Sequence, residues 1–347
     1  MRMNLLNGCE ASAEGAISAG CKFYAGYPIT PQNRYPEYMS RRMEEVGGVF
    51  IQAESETSSI NMVFGAAAAG FRAMTSSSSP GISLMQEGIS YLAGCELPAV
   101  IVNMNRGGPG LGDVTPSQAD YFQSTRGGGH GDYRTIVLAP WSCQEIHDHT
   151  YLAFDLADRY RNPVIVLGDG LIAQMYETVR LKAIKKRFPK KPWALDGCSG
   201  RKPNSLKSLF LTPGVLEAHN WKLAAKYAKI EKREIRYESY YCKDSKYIVV
   251  GFGTCARIAK EAVEMARQQG MNIGLFRPIT LWPFPYAQLA ECLKNAKKVL
   301  VVEMNLGQMV EDVKLAAKNS DARIFFYGRP GGGVPDPDEI YREIKKK

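Results

Sequence analysis

Across residues 9–169 the chain alternates short apolar, β-branched runs with Ala- and Gly-rich stretches of helical period, and this alternation constrains the fold more than any other feature. Strand and helix in succession specify an α/β fold, a doubly wound parallel sheet joined by crossover helices. The pattern predicts strands over 22–25, 49–53, 73–76, 99–103, 135–139 and 164–167, with helices over 31–46, 56–69, 81–93 and 142–160. After Met175 it breaks into a basic, proline-punctuated segment with Lys190-Lys191-Pro192-Trp193 and a loop around 197–203. A charged helix over 215–237 follows and reads as a connector rather than a core element. Strands over 247–252, 272–276, 298–303 and 323–327, with helices over 256–269, 286–295, 307–318 and 338–346, then form a second α/β block. The expected division is a first domain over 1–175, a basic linker with its long helix over 176–245, and a second domain over 246–347.

At 347 residues the chain is long enough for two such cores. No run approaches the roughly 20 apolar residues of a spanning helix, and the N-terminal segment from Met1 to Gly8 lacks the apolar core of a signal peptide. A cytoplasmic protein with no membrane contact is expected. The eight cysteines (Cys9, Cys21, Cys95, Cys143, Cys198, Cys242, Cys255, Cys292) include no C-x-x-C pair, which argues against an iron–sulfur cluster, a zinc ribbon or a disulfide framework within the chain. The net charge of +9 is concentrated between Arg180 and Lys207 and in the tail Lys345-Lys346-Lys347. No base-stacking module accompanies it, so nucleic acid is not an expected partner; a solvated linker face or an acidic partner subunit accounts for it better.

Three places in the first block carry candidate chemistry. Thr30, in Tyr27-Pro28-Ile29-Thr30-Pro31, follows a predicted strand, where open α/β sheets place ligands, although its local features equally suit a helix N-cap. Glu56 opens a helix on the same face as Ile60, Val63, Phe64 and Ala67, so its carboxylate is expected along a buried surface with a hydrogen-bond partner. Arg106, in Arg106-Gly107-Gly108-Pro109-Gly110-Leu111-Gly112, combines a guanidinium suited to a carboxylate with glycines that permit close approach of a ligand. Gly168-Asp169-Gly170 reads as a structural turn, because no Asn-Asn pair follows to complete a diphosphate-binding motif. The four histidines make no metal case: His147 and His149 point to different faces of one helix, and His130 lies in a glycine-rich loop. No metal ligand is expected.

Beyond these residues, several long motifs run in order along the chain: Tyr27-Pro28-Ile29-Thr30-Pro31, Gln52-Ala53-Glu54-Ser55-Glu56, Thr75-Ser76-Ser77-Ser78-Ser79-Pro80-Gly81, the stretch 127–133, and Arg277-Pro278-Ile279-Thr280-Leu281-Trp282-Pro283-Phe284-Pro285. With them the chain resembles the alpha subunit of 2-oxoacid:ferredoxin oxidoreductases, most closely the branched-chain type acting on 2-oxoisovalerate. The resemblance implies a thiamine diphosphate pyrimidine-binding domain followed by a transketolase C-terminal-like domain. It also implies oxidative decarboxylation of a 2-oxoacid, with the acyl group passing to coenzyme A and electrons to ferredoxin. Glu56 matches the family glutamate at N1′ of the aminopyrimidine, Pro28 a position packed by the cofactor, and Thr30 and Arg106 the groups that hold the substrate's oxo and carboxylate. A beta subunit would supply the diphosphate and Mg²⁺ ligands, and gamma and ferredoxin-like subunits would complete the complex, the iron–sulfur clusters lying outside this chain. An E1-beta-like subunit of a lipoamide-dependent dehydrogenase and a non-catalytic assembly subunit are the alternative readings.

Overall fold

The computed structural model describes residues 3–346; Met1, Arg2 and Lys347, on which parts of the terminal readings fall, lie outside the described residues. The first half runs β1 (Met3–Asn7), α1 (Gly8–Ser18), β2 (Phe23–Gly26), α2 (Arg34–Glu45), β3 (Val49–Gln52), α3 (Glu56–Ala68), β4 (Ala73–Ser77), α4 (Ser79–Gly94) and β5 (Ala99–Asn105). It continues through α5 (Tyr121–Arg126), β6 (Ile136–Leu138), α6 (Cys143–Tyr160), β7 (Pro163–Asp169), α7 (Gly170–Gln174) and β8 (Tyr176–Arg180). Then come α8 (Val215–Arg233), β9 (Tyr237–Tyr240), β10 (Tyr247–Val250), α9 (Gly253–Gln268), β11 (Ile273–Pro278) and β12 (Thr280–Trp282). The chain ends with α10 (Tyr286–Leu293), β13 (Lys298–Glu303), α11 (Met309–Ala316), β14 (Arg323–Gly328) and α12 (Pro337–Lys346).

The first block forms a seven-stranded sheet in the order β12-β6-β7-β5-β4-β2-β3, parallel except for β12. Every residue of β5 and β7 is buried, as expected of central parallel strands covered by helices on both faces. Burying side chains such as Val164, Val166 and Leu167 contributes roughly 1.5–3 kcal/mol each, which is why apolar runs this short suffice to place the strands. Side-chain caps start the helices where the pattern changes: Asn7 and Glu10 form a capping box for α1, and Ser55 and Ser142 cap α3 and α6.

The second block is a five-stranded sheet, β14-β13-β10-β11-β9, with β9 alone antiparallel. Alternation along β10 divides its two cores: Ile248 and Val250 join the core shared with the first block, while Tyr247 and Val249 face α9 and α12.

Several expectations shift. The helix read over 31–46 begins at Arg34, because Gln32 N–H closes a turn onto the Ile29 carbonyl at 3.0 Å. The helix read over 215–237 ends at Arg233, where Arg159, Tyr160 and Arg236 all bond the carboxylate of Glu234. The next residues become the edge strand β9. Residues 280–282 leave the second block and pair with β6, so the Arg277–Pro285 motif bridges both sheets. The basic segment also folds back on its own chain: Lys182, Lys185 and Lys191 pair with Asp148, Asp155 and Asp158 of α6.

Arg277 anchors this bridge. Fully buried, it bonds Glu145 of α6 and Glu238 of β9, and its guanidinium carbon lies 3.8 Å from the Trp141 ring centroid. Removing one partner of a buried ion cluster strands the others, so Arg277→Met is expected to lower unfolding free energy by about 3 kcal/mol in urea titrations. A loss below about 1 kcal/mol would show that the cluster does not hold the blocks together.

Candidate functional site

The connection after β2 runs to β3 at one side, while that after β4 runs to β5 at the other, so the carboxyl ends of β2 and β4 flank the crevice where open α/β sheets bind ligands. The loop after β2 is fixed there by a relay of polar groups. The Tyr24 hydroxyl lies 2.8 Å from Ser76 Oγ, Ser76 donates to Gln32 Oε1 at 2.7 Å, and Gln32 Nε2 donates to the Tyr27 carbonyl at 3.2 Å. Pro28 is exposed on this loop and Thr30 half-buried. The N-cap alternative for Thr30 does not hold, because Asn33 occupies that position; the Thr30 hydroxyl instead accepts from Asn33 Nδ2 at 3.4 Å.

Glu56 enters the crevice from the first turn of α3. It is 5% exposed, and Ile60, Val63 and Ala67 are fully buried on its face. Among the described residues its carboxylate accepts no hydrogen bond, contrary to the expected partner. Glu54, by contrast, is exposed and accepts from Ser58 at 2.7 Å. Gly81 in the first turn of α4 makes room for Glu56: a Cβ there would lie 2.5 Å from Glu56 Oε1 and 2.1 Å from Ser77 Oγ.

The same turn of α4 reaches Arg106. Ser79 Oγ donates to Asn105 Oδ1 at 3.2 Å and accepts from the Arg106 N–H at 3.1 Å. Arg106 is 6% exposed; its Nη1 donates to the Thr30 carbonyl at 2.9 Å and its Nη2 to the Leu111 carbonyl at 3.0 Å. The fold thus ties Thr30 and Arg106 together directly and brings Glu56 to them through Ser79–Gly81.

Around these groups sit buried polar atoms without a partner among the described residues: Thr75 Oγ1, Ser78 Oγ, Asn103 Oδ1, Asn105 Nδ2 and Arg106 Nε. Each neutral orphan costs about 1–3 kcal/mol and a charged one more, so this cluster of donors and acceptors is suited to exchanging hydrogen bonds with a ligand. Asp120 accepts from Asn103 at 2.8 Å, and burial pushes its carboxyl above the usual carboxylate value. Gln32, Ser79, Asn105 and Asp120 were not among the sequence candidates. The serine run before Pro80-Gly81 was the available signal, since four hydroxyls at the end of a buried strand need partners.

The other motifs have different uses. Asp169 caps α7 through the N–H groups of Leu171 and Ile172, in keeping with a structural turn. His130 is an exposed loop residue whose carbonyl accepts from Ser90 at 2.8 Å. His147 and His149 are both buried in α6, where burial holds His149 down to about 3. No group of three or more His, Cys, Asp or Glu side chains suited to a metal occurs among the described residues.

Residues 14–237 match the family "Pyruvate flavodoxin/ferredoxin oxidoreductase, thiamine diP-bdg", and residues 245–340 match "Pyruvate:ferredoxin oxidoreductase core domain II". Ketoisovalerate oxidoreductase subunit VorB of Methanothermobacter marburgensis is 48% identical over 100% of this chain and 98% of its own length. The 2-oxoglutarate synthase subunit KorA of Methanocaldococcus jannaschii is 38% identical over 99% of this chain and 100% of its own. Among solved structures, the 2-oxoglutarate:ferredoxin oxidoreductase from Magnetococcus marinus superposes with a TM-score of 0.88 at 25% identity; 99% of this chain aligns, spanning 65% of the longer one.

Gln32→Ala cuts the relay that fixes the loop after β2. Amide hydrogen exchange over 27–30 is expected to rise at least tenfold, with a stability loss of about 1 kcal/mol. Unchanged exchange would mean that the loop is fixed by other contacts.

Proposed function

The chain belongs to the 2-oxoacid:ferredoxin oxidoreductase family, as a subunit of enzymes that work as multi-subunit complexes, and we propose that the crevice between β2 and β4 is the pyrimidine-binding half of its thiamine diphosphate site. The observation that carries this reading is Glu56, a buried acceptor lacking a donor among the described residues, beside a cluster of hydroxyl and amide groups likewise unpartnered there. Such a lining fits a flat heteroaromatic ring with hydrogen-bonding edges. When bound, thiamine diphosphate supplies the nucleophilic carbon and the electron sink for oxidative decarboxylation.

In this reading Glu56 accepts a hydrogen bond at N1′ of the pyrimidine and holds the proton there, which favours the tautomer able to act as a base. Pro28 packs against the cofactor at the mouth of the crevice. Thr30 and Arg106 orient a 2-oxoacid, the hydroxyl toward its oxo group and the guanidinium toward its carboxylate. The carbonyls of Thr30 and Leu111 hold the Arg106 side chain in place, so little of its rotamer freedom remains to be lost when substrate binds.

Coenzyme A takes the acyl group and ferredoxin the electrons. A beta subunit supplies the diphosphate and Mg²⁺ ligands; the capping role of Asp169 supports this, since both N–H groups it binds lie within its own turn. The iron–sulfur clusters belong to partner subunits, with gamma and ferredoxin-like subunits completing a cytoplasmic complex. A branched-chain substrate is favoured by the relative named for ketoisovalerate, which is more similar to this chain than those named for 2-oxoglutarate. The first domain ends near residue 175 and the second begins near 246, joined by the basic segment and α8.

The test is to copurify the complex and measure coenzyme A-dependent viologen reduction with a panel of 2-oxoacids. The highest kcat/KM is expected with 2-oxoisovalerate; turnover without coenzyme A, or with no 2-oxoacid, would refute the reading. In the same assay Glu56→Gln should cut kcat by about 10²-fold or more, as when a positioned acid–base group is lost. Undiminished turnover would leave only an assembly role for this chain. Arg106→Ala should chiefly raise the 2-oxoacid KM, and a KM unchanged in a variant that melts normally would remove its substrate role.

A further inference from the structure

Between β5 and α5 the chain runs through residues 106–120 without helix or strand, so its path is set by contacts with other parts of the molecule. It folds back on itself as a hairpin. Arg106 pairs with Pro116 in an isolated antiparallel bridge, the Gly107 N–H donates to the Thr115 carbonyl at 3.0 Å, and the Asp113 N–H donates to the Gly107 carbonyl at 2.9 Å. Leu111, whose carbonyl accepts from Arg106 Nη2, lies at the turn. The position of the guanidinium therefore depends on where the returning limb, residues 113–118, is held.

That limb is held by the second block. Gln118 commits both its main-chain groups and both ends of its side-chain amide to it. Its N–H donates to the Met304 carbonyl at 3.0 Å, its Oε1 accepts from the Met304 N–H at 3.1 Å, and its Nε2 donates to the Phe252 carbonyl at 2.8 Å. Its own carbonyl accepts from Asn305 Nδ2 at 2.9 Å. Gln118 is 2% exposed, so these bonds lie away from water, where a group left unpaired is costly. Met304 and Phe252 follow β13 and β10, which are neighbouring parallel strands, and the anchor is correspondingly firm. Gly253, held at φ +50°, leaves the amide room: a Cβ there would lie 3.2 Å from Gln118 Nε2.

We propose that Gln118 is a positioning residue for the 2-oxoacid, through which the second block sets the place of the Arg106 guanidinium; this rests on the carboxylate-binding role given to Arg106 above. Gln118 acts through the backbone. Two residues lead from it to Pro116, the bridge leads from Pro116 to Arg106, and the turn brings the Leu111 carbonyl back to the guanidinium. A guanidinium grips a carboxylate through two parallel N–H···O bonds, so a shift of about 1 Å is enough to break one of them. The second block thereby governs the affinity for substrate rather than the chemical step, which Glu56 serves.

The test is Gln118→Met, which keeps the size of the side chain and removes both of its amide bonds. In the copurified complex the 2-oxoacid KM is expected to rise about tenfold with kcat held within about threefold, a split that a general loss of folded enzyme does not produce. In the full-length chain, amide exchange over 107–114 is expected to rise at least about tenfold while that of α3, which carries Glu56, stays unchanged. Unchanged exchange over 107–114, or an equal rise in α3, would overturn the proposal. An unmoved KM in Gln118→Met beside a raised KM in Arg106→Ala would overturn it alone; an unmoved KM in both would overturn it together with the substrate role of Arg106.

Discussion

A buried glutamate in the first turn of α3, whose carboxylate has no donor among the described residues, is the group to which its surroundings are fitted. Gly81 has no side chain because Glu56 occupies the space a Cβ would need, and the turn containing Gly81 also carries Ser79, which holds the backbone of Arg106. Burial of the flanking strands provides the stability that such a site consumes: β4 and β5 are buried along their whole lengths, yet Thr75, Asn103 and Asn105 toward their carboxyl ends, and Ser78 just beyond β4, keep hydrogen-bonding atoms unmatched among the described residues. Apolar strand bodies with polar carboxyl ends concentrate unsatisfied groups where parallel strands open onto a crevice.

The second block matters to the site because it braces the segment following Arg106. Gln118 exchanges hydrogen bonds with the backbone of Met304 and reaches the Phe252 carbonyl, and Tyr121 donates to Asp312 at 2.6 Å. Arg126 bonds the same carboxylate, and Gly332 packs so closely on Thr115 that a Cβ would lie 1.8 Å from its hydroxyl. The loop presenting Arg106 is therefore held from both sides, and the Arg277 bridge keeps the two sheets in the register these contacts require.

How much of this was legible in the amino-acid order depended on the range of the interaction involved. The parallel strands could be read because a strand covered on both faces must be apolar at nearly every position, a local property. β9 and β12 could not be read in the same way. Tyr237-Glu238-Ser239-Tyr240 continues a charged helical stretch, and Thr280-Leu281-Trp282 is too short to announce a strand; each forms because a distant edge offers it hydrogen bonds. The basic segment likewise read as an outward-facing charge until its lysines met the aspartates of α6.

At the crevice, periodicity along α3 was enough to bury Glu56, and strand ends were enough to place Thr30 and Arg106 at the carboxyl edge of the sheet, because both follow from local repeat and chain direction. Amino-acid order left open whether Thr30 caps a helix, that its carbonyl holds Arg106, that Glu56 has no donor, and that Gln32 and Ser76 lock the loop between them. The first is decided within three residues of Thr30, but the others depend on atoms brought together from positions 25 to 76 residues apart in the chain. Short-range patterns specify which faces are buried; hydrogen bonds are sensitive to tenths of an ångström, and only the packed sheet and helices bring their partners to that precision.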